Sequence, residues 1–412
     1  MSIFLSVAML LLGALAWWNF RTAVILVIGL IPAYLLKMSI GGVPTTAWEL
    51  CVAIILGVSI LRPALRSRWR LLGRQLPRDI VVAIVFFVGA AIMATLISDE
   101  VRVSLGILKG WVGVPLLFAA MVGMTLESRA DRERIIRALL WSGVAMALVG
   151  LWHVPSQDRI SGLYDVPNSL ALWLAPLLTL SVWQAFSTRK FWYWAVSGIL
   201  MVALLFTQAV GGIAAALIVV MLMVLRLPAS PQRQRGLLLL GLSVLLSLAF
   251  LYNSGRIDYF LMPLQVGEHT SVSVRRQLWS VSAELIRERP LWGIGLGQFE
   301  PHYQLRLHER FAQYAQDPAA YPQPLSEFVF RDPHNWILSF WLNVGLIGLI
   351  SFTYLQVRVL WLLIKRIPQS EINKGMQWAL LTLLLFGLVD TIYWKNDLAA
   401  VQWLMLLLLM RS

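Results

Sequence analysis

The sequence predicts an all-α polytopic membrane protein, with 12–13 transmembrane helices and one long helical loop at about residues 254–333. Three observations predict it. Hydrophobic residues fill 59% of the 412 positions and charged residues only 13%, where a soluble domain carries about 25% charged. Apolar runs of roughly 17–22 residues recur along the whole length, each long enough to cross a bilayer as a helix. The net charge of +13 is gathered into alternate short loops. Arg62, Arg66, Arg68, Arg70, Arg74 and Arg78 fall in one, and Arg129, Arg132, Arg134 and Arg137 in another. Arg189 with Lys190, then Arg226, Arg233 and Arg235, then Lys365, Arg366 and Lys374 mark three more. The loops between them, Ser98–Ser104 and Thr207–Gly212, are poor in Lys and Arg. This positive-inside alternation makes the excess charge a topology signal rather than a nucleic-acid surface.

In chain order the spans read near 3–20, 22–38, 46–62, 79–98, 105–126, 134–152, 168–186, 191–208, 210–226, 236–253, 335–364, 376–392 and 397–410. The first run has no basic segment before it and does not read as a removable signal peptide. Pro32, Pro115 and Pro176 lie within spans and mark kinks or helix ends. Counting from the basic loops puts the C-terminus in the cytoplasm. The N-terminus then lies outside if the first run crosses, inside if it does not. The sequence divides into N-terminal membrane helices (1–253), a periplasmic helical loop (254–333) and C-terminal membrane helices (334–412), forming one integrated membrane domain. The single cysteine, Cys51, sits in an apolar run and reads as packing, which leaves no internal disulfide and no cysteine-based metal site. Internal repeats are not evident, which weighs against an inverted-repeat transporter.

The segment 254–333 falls on the outer face in this topology. It holds eight arginines, no lysine, nine acidic residues and three of the five histidines. Its aromatic residues, among them Trp279, Trp292, Phe299, Tyr303, Phe311, Tyr314, Tyr321 and Phe328, are too many for a disordered linker. Arg275–Arg289 reads as an amphipathic helix with Leu278, Ser282 and Leu285 on one side, ended by Pro290. Gly293, Gly295 and Gly297 follow as a flexible turn. Their spacing is not that of a nucleotide loop, because no strand precedes them and the third glycine comes too early. Glu300–Gln316 reads as a second helix carrying Tyr303, Leu307, Phe311 and Tyr314, broken by Pro318, Pro322 and Pro324. The segment is expected to form a short lid on the membrane.

Chemistry concentrates at Arg331-Asp332-Pro333-His334-Asn335, where this segment meets the next span. Asp is a strong N-cap and Pro favours the first helical position, so His334 is expected in the first helical turn. The dipole there would lower its pKa and keep the imidazole neutral, and the same helix end would attract phosphate. His334 thus reads either as a base beside an anion site or as part of a cap. Arg275, Arg276 and Arg331 can neutralise phosphate without a metal. Lys109, some five residues into a span, either snorkels or meets the same anion. Asp390, Lys395 and Asp397 bracket the last outer turn as candidate mutual partners. No H-E-x-x-H, D-x-D or G-x-S-x-G pattern appears, so metal and serine-nucleophile readings are weak.

These residues resemble the bacterial O-antigen ligase/polymerase superfamily. The likeness is carried by Arg275-Arg276-Gln277-Leu278-Trp279, by Pro290-Leu291-Trp292-Gly293-Ile294-Gly295-Leu296-Gly297-Gln298-Phe299, by Pro333-His334-Asn335 and by Gly345-Leu346-Ile347-Gly348. Gly162 with Asn168-Ser169-Leu170-Ala171, and Tyr393-Trp394-Lys395-Asn396-Asp397-Leu398, are similar but less specific. The resemblance implies a metal-independent, inverting glycosyltransferase of the GT-C type in the bacterial inner membrane, with no cofactor. It would take a glycan from undecaprenyl diphosphate and pass it to a sugar hydroxyl of lipid A-core on the periplasmic face. His334 would be the base and Arg275 the diphosphate ligand, with Asp332, Asn335 and Asn168 in support. Many members carry an arginine where this chain reads Thr207-Gln208-Ala209-Val210-Gly211-Gly212. A second diphosphate contact is then expected from elsewhere, with Lys109 or Arg276 as candidates. A polymerase acting on lipid-linked glycan and a transferase to protein or cell wall share these motifs. A lipid-linked glycan transporter and a non-catalytic lipid-binding module are the readings of a different class.

Overall fold

The computed structural model describes residues 3–126, 128–154, 158–256, 271–317, 329–365 and 369–410. Helices dominate. They are α1 (Ile3–Trp18), α2 (Phe20–Gly29), α3 (Ala47–Leu61), α4 (Pro63–Gln75), α5 (Arg78–Leu96), α6 (Val101–Ile107), α7 (Val114–Thr125), α8 (Arg129–Trp152) and α9 (Pro167–Thr188). Then come α10 (Phe191–Phe206), α11 (Val210–Arg226), α12 (Pro231–Asn253), α13 (Ser271–Glu288), α14 (Phe299–Gln316), α15 (Trp336–Ile364), α16 (Glu371–Phe386) and α17 (Asn396–Met410). Strands among the described residues are confined to one hairpin, β1 (Lys37–Ile40) with β2 (Val43–Thr46).

Among the described residues, six helical stretches are long and apolar enough to cross a membrane: α5, Val101–Thr125, α8, α9, α12 and α15. In the second of these a π-helical turn at Leu108–Gly113 joins α6 to α7. A seventh would be α3 with the first part of α4, bent by 101° where Pro63 interrupts the helix. α1, α2, α10, α11 and α17 are apolar but shorter, and the expected twelve or thirteen spans counted them as crossings. The architecture is the all-α polytopic one.

Several boundaries differ from the sequence reading: the spans expected from 105, 134 and 236 begin at Val101, Arg129 and Pro231. The run at 22–38 is not one span. α2 ends after 10 residues, about 15 Å at ~1.5 Å per residue. A 3-10 turn at Ile31–Leu35 follows, with Pro32 in its first turn, and then the hairpin. Gly41 and Gly42 stand at φ +59° and +79°, the left-handed pair that a two-residue hairpin loop requires. The expected span 376–392 starts earlier, at Glu371, because Ser370 caps the Asn373 N–H.

α9 lies at the centre, buried along its length, with α10, α11 and α16 packed on it. α5 runs along α15, and α17 along α7. α12 is the most exposed of the crossing helices. It turns Leu238, Leu245 and Leu246 outward, the apolar surface that a lipid-facing helix presents.

α13 and α14 confirm the amphipathic reading of the long loop. Leu278, Ser282 and Leu285 are buried, and with Val281, Phe299, Tyr303, Leu307 and Leu342 of α15 they form a small core of their own. Arg310 joins the two helices through Glu284 at 2.6 Å, and Arg306 does so through Glu288. The expected proline break at Pro318, Pro322 and Pro324, with Tyr321 and Phe328, lies outside the described residues.

The glycine turn between these helices is a clamp rather than a flexible linker. α15 is interrupted at Gly345, where φ is 68° and ψ −176°. The break frees backbone groups that a buried chain must satisfy. Ile294 N–H donates to Leu342 O at 2.8 Å, and Leu346 N–H donates to Leu291 O at 3.0 Å. That exchange brings the two backbones so close that a Cβ at Gly293 would stand 2.3 Å from Leu342 O, and one at Gly345 2.2 Å from Leu291 O. Gly293→Ala or Gly345→Ala should therefore cost about 2–4 kcal/mol, the sum of left-handed backbone strain and overpacking. The thermal midpoint of the purified protein in detergent checks this. Gly241→Ala, on exposed α12 with open space around it, should leave that midpoint unchanged or raise it.

Candidate functional site

α15 does not begin where the sequence suggested. Its N-cap is Asn335, whose side-chain oxygen accepts from Ile337 N–H at 3.0 Å and Leu338 N–H at 3.2 Å. Asn335 Nδ2 also donates to Leu388 O at 3.0 Å, tying the cap to the α16–α17 turn. His334 therefore precedes the helix, in the left-handed region at φ +48°. Asp332 takes a different local role: its Oδ1 accepts from His334 N–H at 3.0 Å and from the Thr391 hydroxyl. A short carboxylate bonding the backbone two residues on competes with helix capping, and here that turn wins.

The imidazole is set by carboxylates rather than by the helix dipole. Nδ1 lies 3.3 Å from Asp390 Oδ1 and 3.6 Å from Asp332 Oδ1. Asp390 is buried. Its Oδ2 accepts from Asn168 Nδ2 at 2.9 Å and its Oδ1 from Thr391 N–H at 2.8 Å. Burial pulls the His334 pKa down. The hydrogen bond to Asp390 and the charges of Asp332 and Asp390 outweigh it, and the pKa is raised. The sequence reading had the opposite sign, because it placed His334 inside the helix and could not see Asp390. Burial pushes the Asp390 carboxyl up. His334, the Lys395 charge and the Thr391 N–H outweigh that and hold it at about 2. Phe330 packs edge-on against the imidazole, with ring centroids 5.4 Å apart. With Nδ1 given to the carboxylates, Nε2 is the nitrogen left for a substrate.

His334 lines a cavity of about 560 Å³. Arg159, Arg256 and Arg275 line it too, beside Asn168 and Gln208. Ala214, Ala215 and Ile218 of α11 with Leu385 and Phe386 of α16 form its apolar wall. Among the described residues lining it there is no aspartate or glutamate. Arg275 Nε donates to Val389 O at 3.1 Å, and Trp279 Nε1 donates to Pro333 O at 3.0 Å. α13 thus holds both its own arginine and the loop that carries His334. The arrangement offers a neutralisable base, fixed positive charge and an apolar channel side by side.

Of the residues singled out in the sequence, His334, Arg275, Asn168, Asp332 and Asn335 come together. Lys109 does not join them. Its Nζ lies 2.8 Å from the buried Glu49 and 2.6 Å from Pro44 O, a pairing that answers the cost of a lysine within a span. Arg276 is exposed and not part of the cavity lining. Arg331 is 86% exposed and lies 3.6 Å from Glu300. Among the described residues Lys395 makes no direct ion pair with Asp390 or Asp397, although its charge acts on Asp390. Lys395 donates to Ser169 Oγ at 2.6 Å, and Asp397 accepts from the Tyr164 hydroxyl at 2.8 Å. Arg159, Arg256 and the pairing of Asp390 with His334 escaped the sequence reading. Each is a single charged residue at the edge of a span, and only the fold shows which way it points. Among the described residues no three His, Cys, Asp or Glu side chains cluster as a metal site would require.

Residues 195–353 match the protein family described as O-antigen ligase. The match runs from α10 into α15 and takes in Gln208, Arg256, Arg275 and His334, but not Arg159, Asn168 or Asp390. No curated protein matches the sequence.

The raised pKa of His334 has a readout independent of turnover. Diethyl pyrocarbonate acylates neutral imidazole, so modification of His334, followed by peptide mass spectrometry, should fall away as pH drops through its pKa. The half-point should lie above that of an ordinary histidine. Asp390→Asn removes the anion that favours the imidazolium and should move the half-point to lower pH. An unchanged half-point would contradict the assigned contact.

Proposed function

Starting from the O-antigen ligase match, we propose that this protein transfers a glycan from a polyprenyl diphosphate, of the undecaprenyl type, to a sugar hydroxyl of a lipid A-core acceptor. The reaction takes place at the outer face of the bacterial inner membrane and needs no metal. The observation that carries this reading is the cavity itself. One wall is apolar enough for an isoprenoid, and the other sets His334 beside fixed guanidinium groups.

His334 Nε2 takes the proton of the acceptor hydroxyl as its oxygen attacks the anomeric carbon. The bond from that carbon to the diphosphate oxygen breaks, the carrier diphosphate leaves, and configuration inverts. Asp390 fixes the ring and stabilises the imidazolium that forms. Arg275 neutralises the charge developing on the diphosphate. Asn168 and Thr391 hold Asp390 in place, and Asp332 and Asn335 hold the backbone that presents the ring. The chain is multi-pass, and the alternation of basic loops supports an outward-facing site. The same chemistry with a second lipid-linked glycan as acceptor would make the protein a polymerase.

His334→Ala should lower transfer by about 10²–10⁴-fold, the usual contribution of a general base. The test is a reconstituted assay with a lipid-diphosphate glycan and defined acceptors, on protein whose thermal midpoint is unchanged. Full turnover would exclude the histidine as base. A single glycan block joined to lipid A-core identifies a ligase, and lengthened lipid-linked chains a polymerase. Activity should also survive a strong chelator. Loss restored by a divalent ion would overturn the metal-free mechanism.

A further inference from the structure

The central helix α9 has Asn168 in its first turn, and a second cavity, of about 280 Å³, lies at its other end. Four segments close on this cavity: the start of α8, the last turn of α9, the start of α10 and the start of α16. The basic loops that hold Arg129 and Lys190 assign it to the inner face. Its lining carries both signs of charge, Arg129 and Lys190 with Glu133 and Glu371. Glu133 lies 3.5 Å from Arg129, and Glu371 lies 2.7 Å from Lys374. Lys190 is exposed and makes no ion pair among the described residues.

Two features set this cavity apart from a solvated crevice. Tyr193 is only 5% exposed, yet among the described residues its hydroxyl makes no hydrogen bond, and it lines the cavity. A buried hydroxyl costs free energy unless a partner meets it. At the start of α16, Ser370 Oγ accepts only from Asn373 N–H, at 3.2 Å. The first N–H groups of that helix, which no intrahelical acceptor reaches, stand at the cavity edge and favour an anion. The surroundings define the ligand further. Trp192 lies against Tyr193 with ring centroids 3.8 Å apart, and stacks on Trp141 at 6.3 Å. Phe191, 81% exposed, precedes them. Exposed aromatic rings beside a basic loop mark the depth of lipid headgroups, and Tyr193 shares that depth. A lone anion here would meet two carboxylates, and a lone cation would meet Lys190 and Arg129. A phosphate joined to an ammonium satisfies both ends.

We propose that this cavity binds the phosphoethanolamine headgroup of a phospholipid from the inner leaflet. Lys190, the Tyr193 hydroxyl and the N-terminus of α16 take the phosphate. Glu133 and Glu371 take the ammonium, which has three protons to donate. One lipid then ties together α8, α9, α10 and α16. The site stands independently of the glycan-transfer reading.

The test is a lipid titration of the purified, delipidated full chain in detergent. It reads the concentration that half-saturates the rise in thermal midpoint. The probes are phosphatidylethanolamine, phosphatidylcholine and phosphatidylglycerol with identical acyl chains, and soluble glycerophosphoethanolamine. Phosphatidylethanolamine should half-saturate about ten-fold below the other two phospholipids, which offer no ammonium proton to a carboxylate. Glu371→Gln should remove most of that preference. Lys190→Gln and Tyr193→Phe should each weaken phosphatidylethanolamine and phosphatidylcholine alike, by about three- to ten-fold. Arg235→Gln, at an exposed basic position in the first turns of α12, should change nothing. The lipid-free midpoint of each variant reports its folding. If wild type does not distinguish the three phospholipids, or if the folded Glu371, Lys190 and Tyr193 variants titrate as wild type does, the inference fails. If glycerophosphoethanolamine half-saturates as low as the lipid, the occupant is a soluble zwitterion and the lipid assignment falls.

Discussion

Asp390 is buried, and a buried carboxylate is stable only when its oxygens are taken up by donors. Here the donors come from separated parts of the chain: His334 before α15, Asn168 in the first turn of α9, and Thr391 beside it. Each donor has a further tie. Asn168 accepts from Arg159, which bonds the turn between α10 and α11. Thr391 bonds Asp332, which in turn fixes the backbone of His334. Satisfying one charge thus aligns four segments around the cavity. The chemistry proposed for the site depends on that alignment, because a base is useful only at a fixed distance from the charge it works beside.

The second constraint is backbone accounting. A helix at membrane depth cannot leave amide groups open, so an interruption is tolerated only where other protein closes it. The break in α15 at Gly345 is closed by the chain entering α14, through Ile294 and Leu346. This closure leaves no room for a Cβ at Gly293 or Gly345. It docks the α13–α14 unit onto a membrane helix through main chain. Trp279 then passes that position on to Pro333, one residue from the imidazole.

The fold class was legible because hydropathy and loop charge report on solvent, and solvent acts on each segment locally. The amphipathic pattern of α13 was legible for the same reason: Leu278, Ser282 and Leu285 lie on one face of a single helix. The hairpin after α2 was missed although Gly41-Gly42 marks it, because the apolar run around it suggested a longer helix. At the site, motif likeness located His334 and Arg275, and those two do share a cavity. What decides the protonation of His334 lies 56 residues away in sequence, and no local pattern carries that distance. Lys109 shows the converse. Its position in a span advertised an unpaired charge, while Glu49, 60 residues earlier, had already taken it up.

Among the described residues, three other than glycine adopt left-handed backbone, Arg189, Gln208 and His334, and two of them line the cavity. Such a conformation costs about 1–3 kcal/mol at a residue with a side chain. Glycine would remove that cost at either position, so a chain selected for stability alone would drift toward it. An imidazole and a carboxamide stand at these two points in place of the glycine that would relieve the strain. Sequence variation at positions 208 and 334 should follow what the cavity must hold, whatever the tolerance of the surrounding helices.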